Sequence, residues 1–175
     1  MPVRHVAPDD GPALRSFLGR VPHQDASFLK EDLDDSTVID AWLRAGRTTR
    51  LVHVDSDNTI TAVASIAPGV GRSDHVAELR LVVDAGRRRT GIGRELAQQA
   101  VLTALREGYR KLTVEVGATQ DGTVNLFRGL GFTPEALHHG QVRADDGQLL
   151  DIVVLALSVE DSSAAVAVSG QATSS

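Results

Sequence analysis

The sequence contains no cysteine, which excludes disulfide bonds, thiolate catalysis and zinc sites built on cysteine. It has no run of 18 apolar residues, the length that spans a bilayer, and its N-terminal stretch "MPVRHVAPDDG" lacks the apolar segment of a signal peptide. We therefore expect a soluble cytoplasmic protein. A basic excess is also absent: the net charge of −5 argues against a general nucleic-acid or membrane-surface binder.

Several catalytic motifs are absent as well. There is no Gly-x-Ser-x-Gly sequence, which argues against a serine hydrolase of that type. The six histidines, including His138 and His139, show no metal-ligand spacing with carboxylates. We therefore expect no metal and interpret the histidines as structural or surface groups.

The length and apolar content fit one domain. With 175 residues, 42% of them hydrophobic, the chain can bury a core, and no boundary for a second domain is visible. We predict a single domain over residues 1–160. The segment 161–175 is small and polar without a core-forming pattern, which predicts a disordered tail.

Apolar periodicity predicts the order β, α, α, β, β, β, α, β, α, β, β. Asp9 or Asp10 is expected to cap the first helix and Ser36 the second, which Gly46 would end. The tetrapeptide "DSDN" and the later "DDG" indicate hairpins, whereas strand, helix, strand in the middle implies a parallel pair. The predicted class is α+β with one mixed sheet.

The stretch "RRRTGIGRELAQQA", Arg87 to Ala100, joins an arginine cluster to a Gly-x-Gly turn that opens into a helix. Such a turn presents N–H groups at the positive end of the helix dipole, which suits phosphate, although alone it fits plain turn chemistry equally well. A P-loop would need Lys and Ser or Thr after Gly93, where Arg94 and Glu95 stand. A dinucleotide fingerprint would need glycine in place of Leu96.

A third pattern does match. The segment "ELRLVVDAGRRRTGIG" resembles the central motif of the GNAT superfamily of N-acetyltransferases, with Arg88, Gly91 and Gly93 at its fixed positions. The segment "NLFRGLGF", Asn125 to Phe132, resembles the second motif of that family. The resemblance implies a central mixed, mostly antiparallel sheet with a splayed parallel strand pair, flanked by helices.

The resemblance also implies acetyl-CoA as co-substrate. The strand that contains Leu81, Val82 and Val83 would pair with the pantetheine arm. Asn125 would lie near the arm or the thioester, although a helix-capping asparagine is equally consistent with the sequence. The motif that begins at Arg88 would wrap the pyrophosphate, and its cofactor-binding residues would be Arg88, Arg89, Thr90, Gly91, Ile92, Gly93 and Arg94.

The implied reaction is direct transfer of an acetyl group to a primary amine, which must lose a proton before it attacks. Glu78, at the start of the cofactor-binding strand, is the candidate general base; an ordinary strand carboxylate paired with Arg80 or Arg72 is the alternative. Phe127, also placed at the cofactor, stands where the family usually has a tyrosine and has no proton to give. Water would then protonate the leaving thiolate. The sole tyrosine, Tyr109, is interpreted as a packing residue.

The acceptor is left open between a small molecule and a peptide amine. The acidic segment "DASFLKEDLDD", Asp25 to Asp35, is either an acidic rim that attracts a cationic amine or a solvated loop with a helix cap. The rival functions are a non-catalytic acyl-CoA-binding or sensing module and a nucleotide-binding regulator. Family resemblance also suggests a homodimer.

Overall fold

The computed structural model describes residues 2–159. Within these residues, seven strands and five α-helices follow the predicted order, with one short helix added near the N-terminus. The strands are β1 Val3–His5, β2 Thr49–Val54, β3 Ile60–Pro68, β4 Val76–Val83, β5 Lys111–Gly117, β6 Thr133–Arg143 and β7 Leu149–Ser158. The helices are α1 Gly11–Leu18, α2 His23–Ala26, α3 Thr37–Leu43, α4 Ile92–Arg106 and α5 Asp121–Gly129.

The strands form one seven-stranded sheet in the order β1-β2-β3-β4-β5-β7-β6. Strands β4 and β5 are parallel, in a register that runs from Val76 opposite Lys111 to Leu79 opposite Val114. The pairs β1–β2, β2–β3, β5–β7 and β6–β7 are antiparallel. The predicted α+β class with a mixed sheet and one parallel pair is confirmed, whereas the splay of that pair stays a prediction.

The described residues divide into two compact units. The first unit comprises residues 2–67 and 80–100, and the second comprises 68–79 and 101–159. The prediction of a single domain over 1–160 is not tested by this division and stays a prediction. The predicted tail, 161–175, lies outside the described residues.

Each unit has its own buried apolar side chains. In the first unit, Leu14 and Phe17 of α1 and Trp42 of α3 pack in one cluster with side chains of β2, β3 and β4. In the second unit, Phe127 and Phe132 are buried with their rings edge to face at 5.2 Å. Burying side chains of this kind is worth about 1.5–3 kcal/mol each.

Both predicted hairpins are confirmed. At "DSDN" the Asp55 N–H donates to the Thr59 carbonyl at 3.0 Å, and Asn58 takes a left-handed conformation with φ of 60°. At the second turn the Ala144 N–H donates to the Gln148 carbonyl at 2.8 Å. Both hairpins were predicted from turn residues that tolerate positive φ, and each turn has a residue in that conformation.

The predicted capping of α1 is wrong. Asp10 stands at the N-cap position, but its carboxylate makes no cap hydrogen bond. It accepts two hydrogen bonds from Arg4, at 2.6 and 2.8 Å, and one from the Ala7 N–H at 2.7 Å. The Arg4 guanidinium holds the pKa of this carboxyl below its usual value. A bidentate charged partner therefore takes the oxygens that a cap would need.

The predicted ends of α3 also need correction. Ser36 is at the N-cap position without a side-chain cap bond, whereas the Asp35 carboxylate accepts from the N–H and the hydroxyl of Thr37, both at 2.8 Å. The helix ends at Leu43 because Arg44 is already extended, so Gly46 does not end it. The predicted loop before α3 contains the four-residue helix α2.

Two further findings concern the described chain alone. Across residues 2–159 no helix combines the length and apolar character needed to cross a membrane. In the same range no cluster of three or more histidine, aspartate or glutamate side chains is arranged to hold a metal ion.

Candidate functional site

The candidate site is the turn that connects β4 to α4, within the first unit. After Val83 the chain makes a 3₁₀ turn over Ala85–Arg87, fixed by the Gly86 N–H, which donates to the Asp84 carboxylate at 3.0 Å. Arg89 and Gly91 then have positive φ, 62° and 86°. These two left-handed residues turn the backbone into the start of α4. An arginine in the left-handed region is unusual, because its Cβ disfavours positive φ.

The N-terminus of α4 can accept an anion. The first hydrogen bond of the helix runs from the Glu95 N–H to the Gly91 carbonyl at 3.0 Å. The N–H groups of Ile92 and Gly93 precede it, so helix geometry gives them no acceptor within the helix. They lie at the positive end of the dipole of a 15-residue helix.

Gly93 keeps this helix end close to the strand. A Cβ built on Gly93 would lie 3.3 Å from Cγ2 of Val83, tighter than an ordinary van der Waals contact. The absence of a side chain therefore leaves the backbone accessible between the strand end and the helix. This close approach, together with the donors of the first turn, fits a pyrophosphate group.

Arg87 and Arg88, at the start of the turn, are held by carboxylates of the chain itself. Arg87 donates to Asp55 at 2.9 Å, and Arg88 donates to Asp25 of α2. Arg89 and Arg94 are exposed. The sequence predicted a cluster of arginines directed at a ligand; the structure shows that the first two are already engaged in ion pairs.

Two carboxylates at this turn, those of Asp55 and Asp84, have pKa values below the usual value and are ionised at neutral pH. The Thr59 N–H is the main cause that lowers the pKa of Asp55 below its usual value, with Arg87 adding to it. Burial raises the pKa of Asp84, but the Gly86 N–H and Arg20 outweigh it, so the pKa of this carboxyl is lowered as well. Charged partners and backbone donors thus fix the loop that precedes α4.

The acidic segment Asp25–Asp35 is neither a free acidic rim nor merely a solvated loop. Glu31 accepts from the Trp42 indole N–H at 2.6 Å and from Arg50 at 2.9 Å, and the Arg50 guanidinium stacks on the Trp42 ring at 4.8 Å. With Asp25 bound to Arg88, Asp32 to the Asp34 N–H and Asp35 to Thr37, four of these carboxylates accept from donors of this chain. The helix-cap part of the second interpretation is confirmed, with Asp35 as the residue responsible.

The contacts of a buried histidine next to α4 were not predicted from the sequence. His53 of β2 places Nδ1 2.6 Å from the Thr61 hydroxyl oxygen and Nε2 3.7 Å from a carboxylate oxygen of Glu95. The histidines were interpreted only as structural or surface groups, and nothing in the spacing from residue 53 to residue 95 links the two.

The remaining predicted residues are found as follows. Leu81, Val82 and Val83 form the end of β4, with Val82 buried. Glu78 is half-buried on the same strand, opposite Thr113 of β5. The structure gives their positions but does not test their roles, which stay predictions.

The second motif lies on α5 of the second unit. Asn125 is an exposed residue inside the helix, which begins at Asp121 with Gln120 at the N-cap, so the alternative of a helix-capping asparagine is wrong. Phe127 is 1% exposed and packs against Phe132. Its aromatic ring is therefore part of the apolar core.

Comparison with known proteins identifies the family. The model of the acetyltransferase (GNAT) family matches residues 16–132, two thirds of the chain. The chain belongs to this family, as the two motifs predicted, and the predicted class of enzyme, an acyltransferase, is confirmed with it.

Solved structures share the fold. A ribosomal-protein-alanine N-acetyltransferase from Brucella melitensis is 22% identical, with 90% of this chain and 99% of that chain covered and a TM-score of 0.75. A putative acetyltransferase from Salmonella typhimurium, solved with its cofactor acetyl-CoA, is 19% identical over 91% and 94% of the two chains, with a TM-score of 0.75. A GCN5-related N-acetyltransferase from Kribbella flavida is 24% identical over 89% and 96%, with a TM-score of 0.71.

Proposed function

We propose that this protein is an N-acetyltransferase that transfers the acetyl group of acetyl-CoA directly to a primary amine. The observation that carries the proposal is the turn from Arg88 to Gly93. Its motif glycines coincide with a left-handed backbone at Gly91 and with the close approach of Gly93 to Val83. A structural relative contains acetyl-CoA, which supports the choice of donor.

The donor would lie along the end of β4 and across the start of α4. The backbone of Leu81, Val82 and Val83 would pair with the pantetheine arm as an added strand does. The N–H groups from Arg89 to Arg94 would hold the pyrophosphate. Asn125, exposed on α5, would contact the arm or the thioester, and we retain Phe127 as a neighbour of the donor through its backbone.

The chemistry requires a base and an oxyanion stabiliser. When bound, acetyl-CoA supplies the thioester carbonyl that an amine attacks. Glu78 would take the proton of the amine, directly or through water, because alkylammonium groups titrate at about 10 and only the free base is nucleophilic. A backbone N–H near Val83 would donate to the carbonyl oxygen as negative charge develops there.

The leaving thiolate has no protein acid at residue 127. Phe127 is buried and carries no ionisable group. Thiols titrate at about 8.5, so a thiolate is a tolerable leaving group near neutral pH and water can protonate it afterwards. The same observation favours the second candidate function, a module that binds acyl-CoA without turnover.

The acceptor is a small-molecule or peptide amine. One structural relative is named for ribosomal-protein alanine and another as a putative phosphinothricin acetyltransferase, so relatives of this fold differ widely in acceptor. Fold alone does not choose between them. The cytoplasmic location and the homodimer stay predictions.

Two measurements test the proposal in order. Isothermal titration calorimetry with acetyl-CoA is expected to show binding in the micromolar range, and its absence would contradict both candidate functions. A free-thiol release assay over a panel of amino acids, polyamines, aminoglycosides and peptides then separates them. An amine that raises thiol release above the rate of hydrolysis identifies an enzyme; binding without release across the panel favours the module.

A further inference from the structure

The ion pair between Arg88 and Asp25 occupies the first residue of the proposed pyrophosphate motif. The Arg88 side chain is 50% exposed, whereas that of Asp25 is 18% exposed. The guanidinium therefore has an open side towards solvent, and the carboxylate that holds it is mostly shielded. An anion that arrives at the turn meets an arginine that is already paired.

Asp25 lies in a short helix whose apolar contact with the core of the first unit is limited to the partly buried Ala26. Helix α2 has only four residues and, among the side chains that the structure describes there, none is buried. The local bonds of the segment include the Ala26 N–H to the Pro22 carbonyl at 3.0 Å and the Ser27 hydroxyl to the Gln24 carbonyl at 2.6 Å. The Ser27 N–H also donates to carbonyls of α2. Val21 before the helix and Leu29 in the following 3₁₀ turn are buried in that core. The bond from Asp25 to Arg88 thus fastens α2 to the turn before α4.

A pyrophosphate and a carboxylate compete for this guanidinium. Both are anions, and two anions at one guanidinium repel each other unless further cations separate them. The pyrophosphate has the N–H groups of α4 in addition to the arginine, whereas the Asp25 carboxylate is held by the arginine. We therefore expect the pyrophosphate to bind this guanidinium more strongly than Asp25 does.

We propose that donor binding displaces Asp25 from Arg88 and thereby releases α2 from the turn before α4. This inference depends on the proposed function, because it takes the turn as the pyrophosphate site. Asp25 is a positioning residue in this scheme: it holds Arg88 in place in the free protein and weakens the affinity for the donor by the free energy of the pair.

A double-mutant cycle measures this cost. In the full-length protein, Asp25→Asn is expected to lower the Kd for acetyl-CoA about fivefold, a factor in the range of exposed ion pairs. Asp34→Asn is the matched control, since it removes the same charge from the same exposed segment away from Arg88; its effect is expected to stay below about twofold. On an Arg88→Ala background, Asp25→Asn should do no more than Asp34→Asn.

Hydrogen exchange measures the release. Saturating acetyl-CoA is expected to speed exchange of the amides in residues 23–29 of the wild-type protein, whereas in Asp25→Asn these amides should exchange fast with or without the donor. The inference is overturned if acetyl-CoA leaves exchange of this segment unchanged, or if Asp25→Asn weakens binding as Arg88→Ala does. If the wild-type protein does not bind acetyl-CoA at all, the proposed function itself fails, which is a separate result.

Discussion

At the scale of single residues, opposite charges are arranged in pairs around a turn that we propose binds an anion. Arg87 with Asp55 and Arg88 with Asp25 join the turn to the β2–β3 hairpin and to α2, all within the first unit. The net charge of −5 therefore says little about this surface. Local pairing, which keeps arginines ordered at an acidic surface, decides what the turn can bind.

Glu78 is the residue on which the proposed chemistry depends. Replacing it with glutamine keeps the shape but removes the ability to accept a proton. We expect Glu78→Gln to lower kcat about 100-fold, within the range of general-base effects, with little change in the Kd for acetyl-CoA. Steady-state kinetics over a pH series, with calorimetry of the same variant, checks this.

The pH series makes the prediction specific. The remaining rate of Glu78→Gln should rise with pH as solvent alone deprotonates more of the amine. A variant whose kcat and pH profile match those of the wild type would remove Glu78 from the mechanism and favour the alternative of a strand carboxylate.

The hydrogen bonds of Asp10 lead to a second prediction, which concerns the free energy of unfolding. Its carboxylate is 6% exposed and accepts from both terminal nitrogens of Arg4 and from the Ala7 N–H. Asp10→Asn removes the charge and turns one acceptor into a donor, so we expect the free energy of unfolding to fall by about 2 kcal/mol. Denaturant titration measures it. Asp9→Asn, which changes the charge of an exposed neighbour, should alter stability by less than about 0.5 kcal/mol.

At the scale of elements, long periodic segments were predictable and their ends were not. The helix pattern of α4 and the apolar runs of β2 and β3 predicted elements whose bounds agree with the observed ones within a residue or two. The ends of α1 and α3 depend instead on which donor reaches Asp10 or Asp35, and Arg4 reaches Asp10 from another element. Helix α2 was missed because four residues without a buried face have no periodicity to detect.

The candidate site also has features that the sequence predicts and features that it does not. Its glycines could be predicted because positive φ and close backbone approach select glycine locally. The partners of its arginines could not, since Arg88 and Asp25 are 63 residues apart and only the fold brings them together. The same holds for Glu31, whose contacts with Trp42 and Arg50 arise from packing.

Substitutions at Gly93 test the proposed role of the N-terminus of α4 in binding the pyrophosphate. An aspartate there would place a carboxylate at the helix end proposed to hold the pyrophosphate, so Gly93→Asp should raise the Kd for acetyl-CoA at least about tenfold. Calorimetry provides the measurement. Gly93→Ala is the control for the Cβ alone, which would meet Val83 at 3.3 Å. Equal losses in both variants would mean that crowding rather than charge matters.

At the scale of the whole molecule, carboxyl pKa values predict acid sensitivity. Arg4 lowers the pKa of Asp10, and backbone N–H groups are the largest of the causes that lower those of Asp55 and Asp151. A lowered pKa in the folded state means that the unfolded chain binds protons more readily, so the stabilisation is complete above the usual value of 3.8 and is lost as the pH falls through the folded values.

We therefore expect the free energy of unfolding to be nearly constant from about pH 7 to pH 5 and to decrease steeply below about pH 4. Denaturant titrations at a series of pH values give the curve. Asp10→Asn should reduce the steepness, because one of the responsible carboxyl groups is gone. Stability that is independent of pH down to about pH 2 would contradict this assignment.

The stacked arrangement of Trp42, Glu31 and Arg50 also gives the protein an optical label. Trp42 is the one tryptophan of the sequence, so emission excited beyond the tyrosine absorption band comes from a single indole. That indole is buried in the first unit and bonded to Glu31, six residues after Asp25. Its fluorescence therefore reports on the packing around Trp42 in the first unit, and a change on donor addition would indicate movement near the α2 segment without any attached dye.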